Sequence, residues 1–382
     1  GKYWLVRSSR AAGAMATEQR ETKDTRAPGE ALASAELLFT IGLAAGLPTV
    51  RHLSAVSVAH LSSVGAALQA LERLLAPFIY VCGGWHPGAG ALSVVECWDP
   101  LDRTWQPCAP MLSPRRGCAA SVLNGQLYVV GGEAGEGIGM KSMNVVERFD
   151  PAVALWEKVA PMPTRRARCA AASAGGVLYV VGGQVAGQAL AIVESYSPST
   201  DAWKELPPMP TRRAGCGAAI AEGRLYVLGG HWGGQAMATA ECFSPSDSSW
   251  EQLSRMCSRR SHCAAVTLAG SLWVAGGLDS VGVFQPTQVG GGGEAFHDEQ
   301  TTHNTVEMYD LATGCWSPWH QPMPSQVWGC AAVSCRGRLH IFGGYDGHQT
   351  KDEAAELDPR TGQWEVLPPL PTCRWGAGAA AL

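Results

Sequence analysis

Charge is scarce in this chain. Charged residues make up 16% of its 382 positions, against about 25% in average proteins. The formal net charge is -4 and no basic tail is present, so bulk charge argues against a nucleic acid or an anionic membrane as partner. The 13 cysteines include no CxxC pair and no N-terminal secretory pattern is visible, which leads us to expect reduced thiols and a cytoplasmic or nuclear protein. Apolar stretches in the first 76 residues are broken at Pro48 and interleaved with polar residues; they make no convincing membrane span. Glycine, by contrast, is abundant at 46 residues, well above the average of about 7%, which suits a turn-rich all-β protein.

Those glycines are periodic. A double glycine ends an apolar strand six times, at Gly83-Gly84, Gly131-Gly132, Gly182-Gly183, Gly229-Gly230, Gly276-Gly277 and Gly343-Gly344, in steps of 48, 51, 47, 47 and 67 residues. Each copy is one structural module. A module reads as an apolar strand such as QLYVVGG (126 to 132), a variable loop, a strand such as NVVERFDP (144 to 151) and a tryptophan strand. A small-residue strand such as RRARCAAASA (165 to 174) opens the next one. Four short strands separated by turn residues make an antiparallel sheet. The second strand is apolar without alternation, so both of its faces must be covered by neighbours. Radial repetition supplies that cover and predicts a β-propeller.

Six positions after the turn residues Asp99, Asp150, Ser197, Ser244, Asp310 and Asp358 stand Trp105, Trp156, Trp203, Trp250, Trp316 and Trp364. Three positions before them stand Glu96, Glu147, Glu194, Glu241 and Glu307, with Ala355 in the sixth unit. Double glycine, glutamate and spaced tryptophan together resemble the kelch repeat, and the resemblance covers residues 77 to 382. The first unit lacks its small-residue strand, while the chain ends in that strand alone, CRWGAGAAAL (373 to 382). The two fragments complete each other and predict a six-bladed ring closed by a C-terminal strand. The blades are then 77–114 plus 373–382, 115–163, 164–210, 211–257, 258–324 and 325–372.

In such a blade the loop after the second strand and the loop into the next blade leave at the same end. Arginine occurs 16 residues before the double glycine at Arg115, Arg166, Arg213 and Arg260, with Arg374 in the corresponding place of the closing strand and Val327 in the sixth blade. Arg116, Arg165, Arg168, Arg212 and Arg259 lie beside them. A ring of guanidiniums offers forked donors for carboxylates or phosphates; the other reading is that these arginines bridge blades through backbone carbonyls or the repeat glutamates. The resemblance implies the first use, because kelch substrate receptors of cullin-RING ubiquitin ligases hold short acidic motifs on this face with arginines and aromatics. The candidate partner-binding set is Trp85, Arg115, Arg116, Arg166, Arg168, Arg213, His231, Trp232, Arg260, Trp328, Tyr345, Arg374 and Trp375.

Cys118, Cys169, Cys216, Cys263 and Cys330 lie 13 residues before their double glycines. They read either as a ring of thiols for a soft metal or oxidant or as small apolar residues where innermost strands converge. The fifth blade carries an insertion over 278 to 305 with a Gly290–Gly293 run and the acids Glu294, Asp298 and Glu299. It is expected on the arginine face, where it would fold over the basic mouth or stay solvated. His297 and His303 flank the acids without a fixed scaffold for a metal, and no cofactor is expected.

Residues 1–29 are polar and expected to be disordered, and Met15 is a candidate true start. From 30 to 76 the pattern turns helical. Glu36, Leu37, Leu38, Ile41, Val50, Leu53 and Val56 match the F-box spacing of apolar anchors, although Ala33-Ser34 replaces its leading Leu-Pro and His60 its aromatic. This resemblance implies docking to the adaptor of a cullin-RING ligase; the alternative is a helical segment propped against the propeller. The expected function is a non-catalytic, monomeric substrate-recognition subunit for an acidic or phosphorylated motif. A free-standing scaffold in a cytoskeletal or signalling assembly is the second reading, and a kelch-type enzyme (a sugar mutarotase or an oxidase) the third.

Overall fold

The small-residue strands, the apolar strands and the two outer strands of each unit assemble as four-stranded antiparallel sheets, six in all among the described residues. The second blade shows the plan: Ala119–Leu123 is innermost, followed by Gln126–Val130, Val146–Asp150 and Leu155–Lys158. Asn124 and Gly125, both with positive φ (52° and 72°), join the first two strands in the tight turn that suits the twist of a hairpin. Leu127, Tyr128, Val129 and Val130 are all inaccessible to solvent. Both faces of that strand are covered, as its unbroken apolar run requires.

The computed structural model describes residues 76–135, 140–279 and 301–382, and Pro77–Leu382 form one compact all-β unit. The ring closes as expected: Gly378–Ala381 pairs antiparallel with Ile79–Cys82, in the register Ile79↔Ala381 to Cys82↔Gly378. This makes the last strand the innermost of the first blade. Where the sixth blade meets the first, Arg103 reaches Glu356 (3.1 Å) and Glu365 (2.7 Å), and Arg338 joins Glu356 (2.5 Å).

Blade-to-blade contact explains the two repeat signatures. Each repeat tryptophan packs on its own third strand, as in Phe149–Trp156 and Tyr196–Trp203 (ring centroids 5.1 Å apart). Its indole N–H donates to the preceding blade: Trp156 to the carbonyl of Ala109 (2.8 Å), Trp203 to Ala160 (2.7 Å) and Trp105 to Pro368 (2.9 Å). Large apolar area and a satisfied polar tip are thus used together. The double glycines are where the next blade's inter-blade loop crosses. Gly132 N–H donates to the Arg166 carbonyl (2.9 Å) and Gly183 N–H to that of Arg213 (2.9 Å). A Cβ on Gly131 would lie 2.6 Å from the Arg166 carbonyl oxygen, so no side chain fits there.

The seven candidate adaptor-binding positions Glu36, Leu37, Leu38, Ile41, Val50, Leu53 and Val56 lie outside the described residues, as does the insertion from 280 to 300. Its two ends, Leu278–Asp279 and Thr301–Thr302, pair as a short hairpin.

Candidate functional site

The face collecting the inter-blade loops and the loops after the second strands is tied together by one backbone bridge per blade: Trp375↔Trp85, Arg116↔Glu133, Ala167↔Gln184, Ala214↔His231, Ser261↔Leu278 and Trp328↔Tyr345. In five of the six blades the residue before the bridge is the repeat arginine, and here the expectation of a solvent-facing arginine ring must be corrected. Arg115, Arg166, Arg213, Arg260 and Arg374 are at most 1% exposed. Each faces the repeat glutamate of its own blade: Arg115–Glu147 (2.6 Å), Arg166–Glu194 (2.9 Å), Arg213–Glu241 (2.8 Å), Arg260–Glu307 (2.9 Å) and Arg374–Glu96 (2.9 Å). Each guanidinium also donates to two carbonyls at the base of the double-glycine loop, as Arg115 does to Gly131 and Val145 (3.0 Å each).

These five arginines are internal ties that hold two loops of one blade together, and they are closed to a ligand. A buried charge requires a partner, and the repeat glutamate with two backbone carbonyls supplies it from within. The sixth blade follows the same logic by losing both members at once, with Val327 where the arginine would be and Ala355 where the glutamate would be. Burial pushes the Glu96 carboxyl up despite Arg374 beside it, so in the closing blade's pair desolvation outweighs attraction.

The repeat cysteines are packing residues of the same layer. Cys169, Cys216, Cys263 and Cys330 place their Sγ against the first glycine of the preceding blade. Burial raises the Cys169, Cys216 and Cys330 thiols to about 12, which disfavours the thiolate that metal binding or oxidation needs.

The residue after each bridge position forms the mouth of the channel. Gly117 N–H donates to the Gly376 carbonyl (2.7 Å), Arg168 to Gly117 (2.6 Å), Gly215 to Arg168 (2.8 Å), His262 to Gly215 (2.7 Å), Gly329 to His262 (2.8 Å) and Gly376 to Gly329 (2.7 Å). Six backbone hydrogen bonds therefore close a circle through all six blades. All six residues are left-handed, with φ between 53° and 65°. Four are glycine, for which that conformation is free; Arg168 and His262 hold it at a cost of about 1 kcal/mol each. A side chain at one position leans over the position before it. A Cβ on Gly117 would meet Arg168 Cγ at 3.3 Å, and one on Gly215 would meet His262 Cδ2 at 3.1 Å. Side chains at two adjacent positions of the circle would crowd each other, and it carries them in blades three and five.

Around this circle the mouth divides into two arcs. On the polar arc, Arg168 Nη1 lies 3.5 Å from His262 Nε2, His262 stacks on His231 (centroids 5.1 Å, 19°), and Glu133 sits 3.0 Å from Arg116 Nε and 3.8 Å from Arg168 Nη2. Burial first, then the Arg168 charge, lowers the His231 imidazole to about 4 and the His262 imidazole well below its ordinary value. Both are neutral at pH 7. Their Nδ1 atoms are buried and carry no hydrogen bond among the described residues. On the aromatic arc, Trp85, Leu278, Trp328, Tyr345 and Trp375 form one cluster, with Trp328–Trp375 at 5.1 Å and the Arg116 guanidinium 4.9 Å above the Trp375 ring. Trp328 and Trp375 are mostly buried, while Trp85 and Tyr345 keep an accessible side.

The structure therefore brings Trp85, Arg116, Arg168, His231, Trp328, Tyr345 and Trp375 together at the mouth. It sets Trp232 apart on a hairpin tip, 58% exposed. Sequence reasoning missed His262. The signal was present: 14 residues before the double glycine the chain reads Gly117, Arg168, Gly215, His262 and Gly329, and the two departures from glycine are the two side chains of the mouth.

Comparison with known proteins agrees with this architecture. The family described as the KLHDC2/KLHL20/DRC7 Kelch-repeats domain matches residues 72–284, and the Kelch motif matches 329–371. Kelch-like protein 23 of Homo sapiens is 36% identical over 76 residues, 20% of this chain and 13% of its own length. Kelch domain-containing protein 7A of Mus musculus is 34% identical over 101 residues (26% and 12%). Kelch-like ECH-associated protein 1B of Danio rerio is 32% identical over 105 residues (28% and 18%). The aligned regions span less than a fifth of each relative. The solved structure of YjhT superposes with a TM-score of 0.63 at 17% identity, over 77% of this chain and 98% of that one, which shows the shared fold. A family match over more than half of the chain, on a closed six-bladed ring with these repeat ties, makes this chain a member of the KLHDC2/KLHL20/DRC7 Kelch-repeats domain family.

Proposed function

We propose that this chain is a non-catalytic protein-interaction protein whose channel mouth holds an acidic or phosphorylated segment of a partner. The observation that carries the reading is the pair Arg168 and His262, two strained side chains in a circle whose other members are glycine. Strain held where the fold does not demand it marks a functional position. A guanidinium beside neutral imidazoles and an adjoining aromatic wall suit a carboxylate or phosphate next to an apolar side chain. Exposed Arg165 and Arg212 on the surrounding loops add attraction for an acidic partner without carrying specificity.

Within this reading the chain serves as the substrate-recognition subunit of a cullin-RING ubiquitin ligase in the cytosol or nucleus, with residues 30 to 76 docking the adaptor. The sequence resemblance to the F-box supports that role, and a free-standing scaffold is what remains without it. Two measurements test the reading. Acidic heptapeptides selected by display on the full chain should lose at least about tenfold in affinity on Arg168→Gly with the fold intact; unchanged affinity refutes the mouth as the site. Capture of purified adaptor that disappears on deleting 30–76 supports the ligase role, and no capture by the full chain refutes it.

A further inference from the structure

Beside the mouth, between the hairpin tip of the fourth blade and the loop entering the fifth, runs a groove of about 250 Å³ lined by Trp232, Gln235, Met237, Thr239, Arg255 and Arg259. Two of these residues break the repeat. The position 21 before the double glycine is Pro110, Pro161, Pro208 and Pro322 in other blades and Pro369 before the closing strand; here it is Arg255. The second residue after the double glycine is His86, Ala134, Val185, Asp279 or Asp346 elsewhere, and here it is Trp232. The fold does not need either residue, since five sister blades are built without them.

The groove is rigid and cationic. Met256 N–H donates to the Ala238 carbonyl (2.9 Å) and Arg260 N–H to Met237 (3.0 Å). Cys257 and Ser258 N–H groups are held by Glu307 (2.7 and 3.0 Å). Arg255 and Arg259 project from the residues just before those pinned at 256 and 260, and both are exposed. The neighbouring carboxylate, Glu307, is consumed by Arg260 and the two amides, and no ion pair is formed by Arg255 or Arg259 among the described residues. Opposite them Trp232 is 58% exposed on a backbone fixed by pairing with Gln235.

We infer that this groove binds a phosphotyrosine side chain of a partner. Its flat ring packs on the Trp232 indole, and its dianionic phosphate takes forked donors from Arg255 and Arg259, while Gln235 bonds the peptide backbone beside it. Two guanidiniums without a carboxylate among the described residues match a dianion better than a single carboxylate would, and an indole with no ring partner among those residues matches a ring better than an aliphatic chain. The inference rests on the reading that this face meets a partner, yet it places the ligand off the channel axis.

The test uses the full chain labelled with ¹⁵N-tryptophan, the Trp232 indole signal being assigned with Trp232→Ala. The probes are Gly-Gly-phosphotyrosine-Gly-Gly and its tyrosine and phosphoserine counterparts. The expected result is a saturable shift of the Trp232 signal by the phosphotyrosine peptide, with at least about tenfold weaker response to the other two. Arg255→Pro, which restores the residue of the sister blades and keeps the fold, should abolish the shift. Equal response to phosphoserine, indifference to Arg255→Pro, or no shift at all overturns the inference. Binding lost on Arg168→Gly but retained in Arg255→Pro places the peptide at the mouth, so this inference falls while the proposed function stands.

Discussion

Arg168 Nη1 of the third blade stands 3.5 Å from His262 Nε2 of the fifth, over the backbone of Gly215 in the blade between them. Because a guanidinium only donates, the imidazole accepts at Nε2 and carries its proton on Nδ1. That Nδ1 is buried and makes no hydrogen bond among the described residues. The contact spans 94 residues of sequence and links blades that share no strand pairing. It exists because both residues sit left-handed in the same circle of hydrogen bonds.

The left-handed positions make a first prediction. Replacing Arg168 or His262 with glycine gives the circle the residue its other positions already have, relieving about 1 kcal/mol of backbone strain against a loss of side-chain packing. Each variant is expected to melt at or slightly above the parent temperature while losing acidic-peptide affinity. A variant several degrees less stable than the parent would assign these side chains to folding instead.

Acid sensitivity follows from the same histidines. An unfolded imidazole titrates at about 6.5, whereas burial and the Arg168 charge lower His231 in the fold to about 4 and hold His262 well below its ordinary value. The unfolded chain therefore takes up protons first, so their contribution to stability is complete above about pH 6.5 and is lost as pH falls toward 4. For His231 the loss should reach about 1 kcal/mol at pH 5 after solvent screening, and His262 adds to it in the same direction. Urea midpoints between pH 7.5 and 5 should fall for the parent and fall less for a His231→Gln, His262→Gly double variant. Parallel curves would sink the assignment.

How far the amino-acid sequence discloses a feature depends on how many neighbours that feature needs. The double glycines, the tryptophans and the split first blade are demands of one module repeated six times, so spacing alone reveals them. The arginines show the limit. Their spacing is as regular as that of the glycines, but spacing does not tell inside from outside, and Arg115 turns inward only because Glu147 and two carbonyls wait there. The clue lay in the sixth blade, where Val327 and Ala355 replace both partners together. Charges that vanish in pairs are bonded to each other. Arg168 and His262 are the converse: they depart from a glycine position singly, each at a place where the fold asks for no side chain.

Closure of the ring gives a third prediction. Gly378–Ala381 supplies the innermost strand of the first blade, and Gly376 is one link in the hydrogen-bonded circle. Deleting 373–382 opens two sheet edges, breaks that circle and removes Arg374 from Glu96. No soluble, cooperatively melting protein should be recovered. A truncated chain with an unchanged melting temperature would refute closure by this strand.

The sixth blade also supplies the design of the last experiment. Glu147→Ala in the second blade leaves the Arg115 guanidinium fully buried and short of its counter-charge, which should cost about 3–5 kcal/mol. Adding Arg115→Val recreates the pair of residues that the sixth blade uses, Val327 and Ala355. The double variant then lacks the stranded charge, and the carbonyls of Gly131 and Val145 lose one donor. Its total cost is expected at about 1–2 kcal/mol, less than that of the single change, when denaturant midpoints are compared. Removing a second residue should thus restore stability lost with the first, because the arginine and the glutamate act on the fold as one unit. If the two costs simply add, the pair is not coupled, and the simultaneous absence of both residues from the sixth blade needs another cause.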